Sequence, residues 1–535
     1  MTGWASHLLI APVIVPMLAG AATVVAGDRR RGLAVGLGFA STLLLLALSG
    51  TLLAMADAPA VQTYRLGAWP AAFGVVLALD RLSAVMVALV SVLGFSAFVS
   101  SLSRWHRAGA HFHPLLQFQL AGLNGAFLTG DLFNLFVFFE IMLAASYGLA
   151  LHGSGTARVR AGLHYIVVNL LASLLFLVGV SVAYGVAGTV NMADLALRVR
   201  DAAAEDRGLL EAGFAVLGIA FVIKAAMWPL GFWLTGTYAA ASAPAAAIMS
   251  VLSKVGIYAV LRLWLLLFGA DAGESAGFGG IWLTVGGLLT VAFGSVAVLA
   301  TQTLARLAGA SVLVSSGTLL AAVGMGRAEA TGGALFYLAG SVLAIGAFFL
   351  LIELVERGRE AGADVLAVTR EAFGTDNEDD AIEERDAVGV PIPGTAALLG
   401  VSFVACALML TGLPPLSGFL AKFAILAPLL APGQAPSATA WALVAALVLS
   451  GLATVVAMLR AGIDAFWASP AAAPPRVDLV EFLPVALLLA LCGALAVGAG
   501  PVMQYMLAAA QELHAPGDYL RDVLASSAAA PGAGR

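Results

Sequence analysis

Three lysines occur in this chain, Lys224, Lys254 and Lys422, and each stands inside a segment apolar enough to cross a bilayer. Every other basic residue among the 26 is an arginine, and nearly all of those fall between the apolar segments. A guanidinium keeps its proton at any accessible pH, whereas desolvation or a neighbouring charge can bring an ammonium to the point of release. A cation near the bilayer centre costs roughly 2.5–3.5 kcal/mol on insertion scales, so such a residue is expected to have a partner and a task. The chemistry open to this set is proton transfer; the plainer alternative is three structural ion-pair partners.

The carboxylate that could complete the set is Glu140, in TGDLFNLFVFFEIMLAASYGL, flanked by Phe138, Phe139, Ile141 and Met142. It lies nine residues past Asp131, which is expected to cap its helix, and hence ~13 Å of helical rise into the membrane. An unpaired carboxylate at that depth would protonate. Glu140 is therefore expected to form an ion pair with Lys224 that an arriving proton releases, with a static salt bridge as the simpler reading. Lys254 and Lys422 have no equally obvious acidic partner, so they are expected to give up protons readily and pass them along the membrane midplane through water.

Two of the lysines adjoin prolines. Pro229 follows Lys224 by five residues in KAAMWPLGFWL, and Pro414 and Pro415 precede Lys422 in LPPLSGFLAKF. A proline inside a helix cannot donate to the carbonyl four residues back, which leaves a polar backbone group free beside the ammonium. Broken helices are expected at both places.

The elements that must hold these groups are membrane helices. Of 535 residues, 61% are hydrophobic and 11% charged, the balance of a polytopic membrane protein. Fourteen apolar runs of roughly 20 residues, the length needed to span ~30 Å of hydrocarbon, begin near His7, Gly32, Arg81, Pro114, Asp131, Ala161, Glu211, Ala243, Gly279, Leu304, Gly332, Gly394, Ala440 and Glu481. Between the second and third, VQTYRLGAWPAAFGVVLALD alternates like strands around turn residues and predicts a short surface hairpin. The fold class expected is thus all-α, with about fourteen transmembrane helices. Helices four to eight and nine to thirteen form two sets of five, and an odd number inverts the second set against the first. In each set the fourth helix carries the proline break, the pattern of an inverted repeat with a midplane site.

This divides the chain into residues 1–113 (three helices and the hairpin), 114–268 (first repeat), 279–463 (second repeat, with an acidic loop over 353–390) and 464–535 (helix fourteen and a tail expected to be disordered from Ser526). Arginines after odd-numbered helices outnumber those on the opposite side, which puts the odd loops in the cytoplasm and both termini outside. The acidic loop, with EAFGTDNEDDAIEERD, reads as solvated chain. The net charge of −5 gives no footprint for nucleic acid, and Cys406 and Cys492 stand alone in apolar runs, without metal-ligand or CxxC spacing. No cofactor signature is present. The N-terminus, MTGWASHLL, lacks a basic region and is expected to be a retained helix.

Three blocks in order, TGDLFNLFVFFEIMLAASYGL, KAAMWPLGFWLTGTYAAAS through SKVGIYAVLR, and TGLPPLSGFLAKF, closely resemble the D subunit of the Mrp-type multisubunit cation/proton antiporters. That family shares its fold with the antiporter-like membrane subunits of respiratory complex I and of membrane-bound hydrogenases. The resemblance implies fourteen helices, inverted five-helix repeats and broken seventh and twelfth helices. It also implies a fifth-helix glutamate, here Glu140, paired with a seventh-helix lysine, here Lys224. By the same resemblance Lys254 is the eighth-helix relay lysine, and Lys422 the twelfth-helix lysine near a second half-channel. Thr235, Gly236, Thr237 and Tyr238 stand where complex I subunits often read Pro-Asp-Ala-His, which favours the Mrp branch. Relatives frequently place a histidine in the eleventh helix, whereas this chain has Gly340 and Ser341, so passage from Lys254 to Lys422 is expected to use water or hydroxyls such as Ser315, Ser316 and Thr318. His164 could feed protons inward but reads more simply as an interfacial histidine.

The function expected is that of a proton-translocating subunit of a Na+/H+ antiporter, K+ or Li+ being possible competitors, in a bacterial plasma membrane with partner membrane subunits. It is expected to be a secondary transporter subunit rather than an enzyme. Two alternatives are a proton-pumping membrane subunit of a complex I-like oxidoreductase, and a stand-alone solute transporter.

Overall fold

The structure, a computed structural model, describes residues 4–27, 30–58, 60–68, 74–109, 111–357, 394–432, 435–466 and 477–528. Most of the acidic loop therefore lies outside the described residues. Eleven of the described helices are long and apolar enough to cross a membrane. Three of the fourteen apolar runs give helices outside that set: Ala11–Ala26 (α1) and Phe112–Leu128 (α4) have 16 and 17 residues, and Ala204–Lys224 (α8) begins with Glu205, Asp206 and Arg207.

After α2 (Arg31–Ala56) the expected hairpin forms. Strand β1 (Gln62–Arg65) pairs antiparallel with β2 (Val76–Leu79), Gln62 opposite Leu79 and Arg65 opposite Val76. The hairpin is tied to the bundle where the Gly130 amide donates to the Val76 carbonyl at 2.9 Å. Helix α3 (Arg81–Ser101) follows directly, with Asp80 accepting from the Ser83 amide at 2.9 Å as its N-cap. Asp131 caps α5 (Leu132–Leu151) in the same way, accepting from the Asn134 amide at 2.8 Å.

Helix α6 (Thr156–Ala187) is followed by the short α7 (Met192–Arg200) and then α8, which ends at Lys224 itself; helical structure resumes at α9 (Phe232–Ala240). Next come α10 (Ala243–Met249), α11 (Leu252–Phe268), α12 (Gly280–Ala300), α13 (Leu304–Gly324) and α14 (Ala328–Glu356). A second interruption separates α15 (Gly394–Thr411) from α16 (Ser417–Leu426), and α17 (Ala438–Phe466) follows. Helix α14 is apolar all round because it has no outer face: α3, α10, α13, α15 and α16 pack against it, and every residue of its most apolar stretch is buried. Helices such as α6 and α12 leave one side of large apolar residues exposed, Leu163, Val167, Leu174, Trp282 and Val296 among them, as a lipid-facing surface requires.

Packing partners recur along the chain. Helix α4 packs on α5 as α12 does on α13, α5 on α6 as α13 on α14, and α6 on α9 as α14 on α16.

The C-terminal region departs from expectation. Beyond α18 (Leu479–Val497), residues 499–528 form α19 (Ala499–His514) and α20 (Gly517–Ala528), so helix extends through Ser526 to Ala528. Their sequence is too short and too polar to signal a span, but tertiary contacts hold them. Helix α19 packs on α14 and α3, Glu512 pairs with Arg81, and the Val61 amide donates to Asp522 at 3.0 Å.

Candidate functional site

Lys224 is the last residue of α8, and its backbone meets the middle of the bundle. A Cβ on Gly256 of α11 would stand 2.6 Å from the Ala225 nitrogen and 3.0 Å from the Lys224 carbonyl carbon, so only glycine permits this approach. The ammonium is buried without a hydrogen-bond partner in the described residues. It lies over the face of Phe139, 5.2 Å from the ring centre, where the ring quadrupole offers weak compensation.

The direct Glu140–Lys224 ion pair expected from the sequence is not formed. Glu140, half-buried, instead accepts a short hydrogen bond from Ser173 on α6. The reason is the neighbouring residue. Phe139 packs edge-on against Phe176 and Phe221, centroids 5.7 and 6.3 Å away, and that aromatic cluster gives the ammonium a ring face where a carboxylate was expected.

Lys254 on α11 has no exposed surface, and its ammonium donates to Ser315 Oγ at 2.9 Å and to Ser316 Oγ at 3.2 Å on α13. Ser315 Oγ donates onward to Ser341 Oγ on α14 at 3.0 Å. Thr318 turns inward to its own helix, donating to the Val314 carbonyl at 2.8 Å. Lys422 on α16 donates to the Thr411 carbonyl at 2.7 Å, one of the backbone oxygens freed where α15 stops. That interruption contains Pro414 and Pro415, and the one after α8 contains Pro229. His164 lies on the exposed side of α6, away from these groups.

One buried charge pair escaped the sequence reading. Arg262, two turns beyond Lys254 on α11, makes a bidentate bond to Asp80 at 2.5 and 2.7 Å, and its second nitrogen also reaches Ser83 Oγ at 3.1 Å. Tyr258 and Tyr519 place their rings 5.6 and 5.1 Å from the guanidinium carbon. The signal was present: Arg262 interrupts VGIYAVLRLWLLLF as the lysines interrupt their own runs. Burial alone would raise the Asp80 carboxyl, but the Arg262 charge and hydrogen bonds more than reverse this and hold it below the usual carboxylate range.

Comparison with known proteins shows what the whole chain is similar to. Residues 129–452 match the family described as NADH:quinone oxidoreductase/Mrp antiporter, transmembrane region. The chain is 57% identical to the probable K(+)/H(+) antiporter D subunit of Rhizobium meliloti, over 98% of this chain and 99% of that protein. It is 34% identical to the Na(+)/H(+) antiporter D subunit of Alkalihalophilus pseudofirmus, over 97% of this chain and 99% of the relative. Among solved structures it superposes on a chain of the Mrp complex from Dietzia sp. with a TM-score of 0.82 and 27% identity, covering 98% of this chain and all of the other.

Proposed function

Because the chain belongs to the NADH:quinone oxidoreductase/Mrp antiporter family, we propose that it is the proton-translocating D subunit of a multisubunit monovalent cation/proton antiporter. The observation that carries this reading is the end-to-end likeness to antiporter D subunits, a match at 57% identity over 98% of this chain and 99% of the relative. The relatives are named for K+ and for Na+, so the cation exchanged is one or both of these.

In this reading Glu140, Lys224, Lys254 and Lys422 form the proton path. A proton reaching Glu140 or Lys224 changes the field felt by Lys254, whose proton moves through α13 and α14 towards Lys422. The interruptions at Pro229 and at Pro414 and Pro415 free backbone carbonyls beside the two outer lysines, and the Lys422 bond to Thr411 is an instance. The recurring packing of α4, α5, α6 and α9 and of α12, α13, α14 and α16 supports two inverted five-helix repeats at 114–268 and 279–463, preceded by 1–113 and followed by 464–535. The chain would sit in a bacterial plasma membrane with both termini outside, embedded among partner membrane subunits. Inward proton flow contributes ~2.3 kcal/mol per charge crossing 100 mV, enough to drive cation export where the stoichiometry is electrogenic.

The test is cation-dependent proton movement in everted membrane vesicles from cells lacking their own antiporters and expressing all subunits together. Addition of Na+ or K+ should collapse a preformed pH gradient, and replacing Lys254 with alanine should prevent this while the complex still assembles. Gradient collapse at the wild-type rate without Lys254 would refute the relay; collapse by this chain alone would refute the subunit reading.

A further inference from the structure

We propose that the basic pocket at the turn from α1 to α2, formed by Arg31, His111 and His113, holds the phosphate of an anionic phospholipid whose acyl chains lie along the exposed apolar side of α1 and α2. None of the proton-path residues lines this pocket. The turn reads Asp28, Arg29, Arg30 and Arg31, one carboxylate against three guanidiniums. The connection from α3 to α4 adds Arg104, His106, Arg107 and His111, and His113 stands in the first turn of α4. Between the two connections lies a cavity of about 30 Å³ lined by Thr23, Gly27, Arg31, His106, His111 and His113. That volume takes about one or two water-sized oxygens, and no carboxylate lines it among the described residues.

His113 is the group that calls for a ligand. It is only 7% exposed, and both of its ring nitrogens lack a hydrogen-bond partner among the described residues. An imidazole always has at least one N–H to donate, and a buried donor left unmatched is costly. Its neighbours offer no acceptor. Phe98 and Phe112 lie 5.3 and 6.0 Å away between ring centres. His106, 6.0 Å away, has both nitrogens committed: Nδ1 donates to the Ser101 carbonyl at 3.1 Å, and Nε2 accepts from Arg107 Nε at 3.2 Å. Arg31 and His111 stand exposed at the mouth, and neither side chain makes a hydrogen bond or ion pair with a described residue. A phosphate oxygen in the cavity would accept from His113 while Arg31 supplies the opposite charge.

The surroundings favour a lipid over a free anion. Leu18 and Val25, seven residues apart and so on one face of α1, are exposed, and so is Leu33 on α2. Val25, 88% exposed, stands two residues before Gly27 of the pocket. Exposed leucine and valine on membrane helices face hydrocarbon, so an apolar strip ends at a basic pocket, which is the order of polarity along a phospholipid. The loops after odd-numbered helices, this turn among them, are expected to face the cytoplasm, whose leaflet carries anionic lipids that arginines near the surface attract. A zwitterionic headgroup would bring a second cation against Arg31, whereas an anionic one does not.

The test uses the whole purified complex and two lipids that carry a photoactivatable diazirine in the acyl chain, phosphatidylglycerol and phosphatidylcholine, with cross-linked peptides mapped by mass spectrometry. Phosphatidylglycerol should label the segment between Leu18 and Leu33 at a concentration about ten-fold lower than phosphatidylcholine requires. Arg31→Gln, at an exposed side chain that bonds to nothing in the fold, should raise the half-labelling concentration of phosphatidylglycerol about five-fold, and Arg31→Lys should leave it unchanged. His113→Phe keeps a ring but removes both nitrogens, and should raise it about ten-fold. Equal labelling by the two lipids would overturn the proposal, and so would an unchanged half-labelling concentration in Arg31→Gln or His113→Phe. Labelling by neither lipid would mean that a partner subunit covers the pocket. Loss of the label to inorganic phosphate at the concentration of the lipid would mean that a free anion is the ligand, and either result overturns the proposal too. Should His113→Phe not assemble, Arg31→Gln against Arg31→Lys decides alone.

Discussion

Lys224 holds its ammonium 5.2 Å from the centre of the Phe139 ring, while Glu140, the next residue along the same helix, is bonded to Ser173 instead. No direct ion pair joins the two side chains, so the proposed relay through them does not require breaking a salt bridge first. A locked buried ion pair would resist both loss of the lysine's proton and protonation of the carboxylate.

Lys224→Arg retains a positive charge that cannot be given up. We expect cation-driven proton movement to fall at least ten-fold in vesicles, with the complex still recovered intact on detergent extraction. Glu140→Gln should give the same loss, and a near-normal rate in either variant would make that residue structural.

Phe139→Leu keeps a large apolar side chain but removes the ring face under Lys224. A desolvated cation–π contact is worth about 0.5–2 kcal/mol, so the rate should fall between about two- and thirty-fold, without loss of the assembled complex. An unchanged rate would show that the ring only fills space.

Asp80→Asn leaves Arg262 charged and buried without its partner, which costs about 3–5 kcal/mol. The expected result is a lower melting temperature of the purified complex and a lower yield, part of which the double change Asp80→Leu with Arg262→Met recovers. The sign of the pH effect follows from the lowered carboxyl of Asp80. Its contribution is present above the unfolded value of ~3.9 and is lost only as pH falls through the lower folded value, so melting between pH 6 and 8 should not change on account of this pair.

Gly256→Ala puts a methyl 2.6 Å from the Ala225 nitrogen, a contact that neither backbone can relieve without moving α11 away from the end of α8. The folded yield should drop sharply, and any protein recovered should transport poorly; wild-type yield and rate would mean that the two helices do not pack so closely in the membrane.

Much of this protein was legible in its residues. The lysines stood out because charge in an apolar run has a large transfer cost, and the helices because spanning segments must satisfy every backbone group internally. Asp131 and the strand alternation near Tyr64 were equally plain, since caps and hairpins are local. Other features were decided only by packing. Whether Glu140 meets Lys224 or Ser173 depends on where α6 and the Phe139, Phe176 and Phe221 rings settle, and no spacing along one helix encodes that. The Ser315–Ser341 contact joins residues 26 apart on different helices, and serines in membrane helices are too common for any one to announce a role. Helices α19 and α20 are held by contacts with α14, α3, Arg81 and the hairpin, which their short polar sequence does not announce, and the end of α20 runs into the stretch from Ser526 that was expected to be disordered. Local rules are carried by neighbours in the chain, whereas the meeting of side chains from separate helices is set by how all of those helices pack at once.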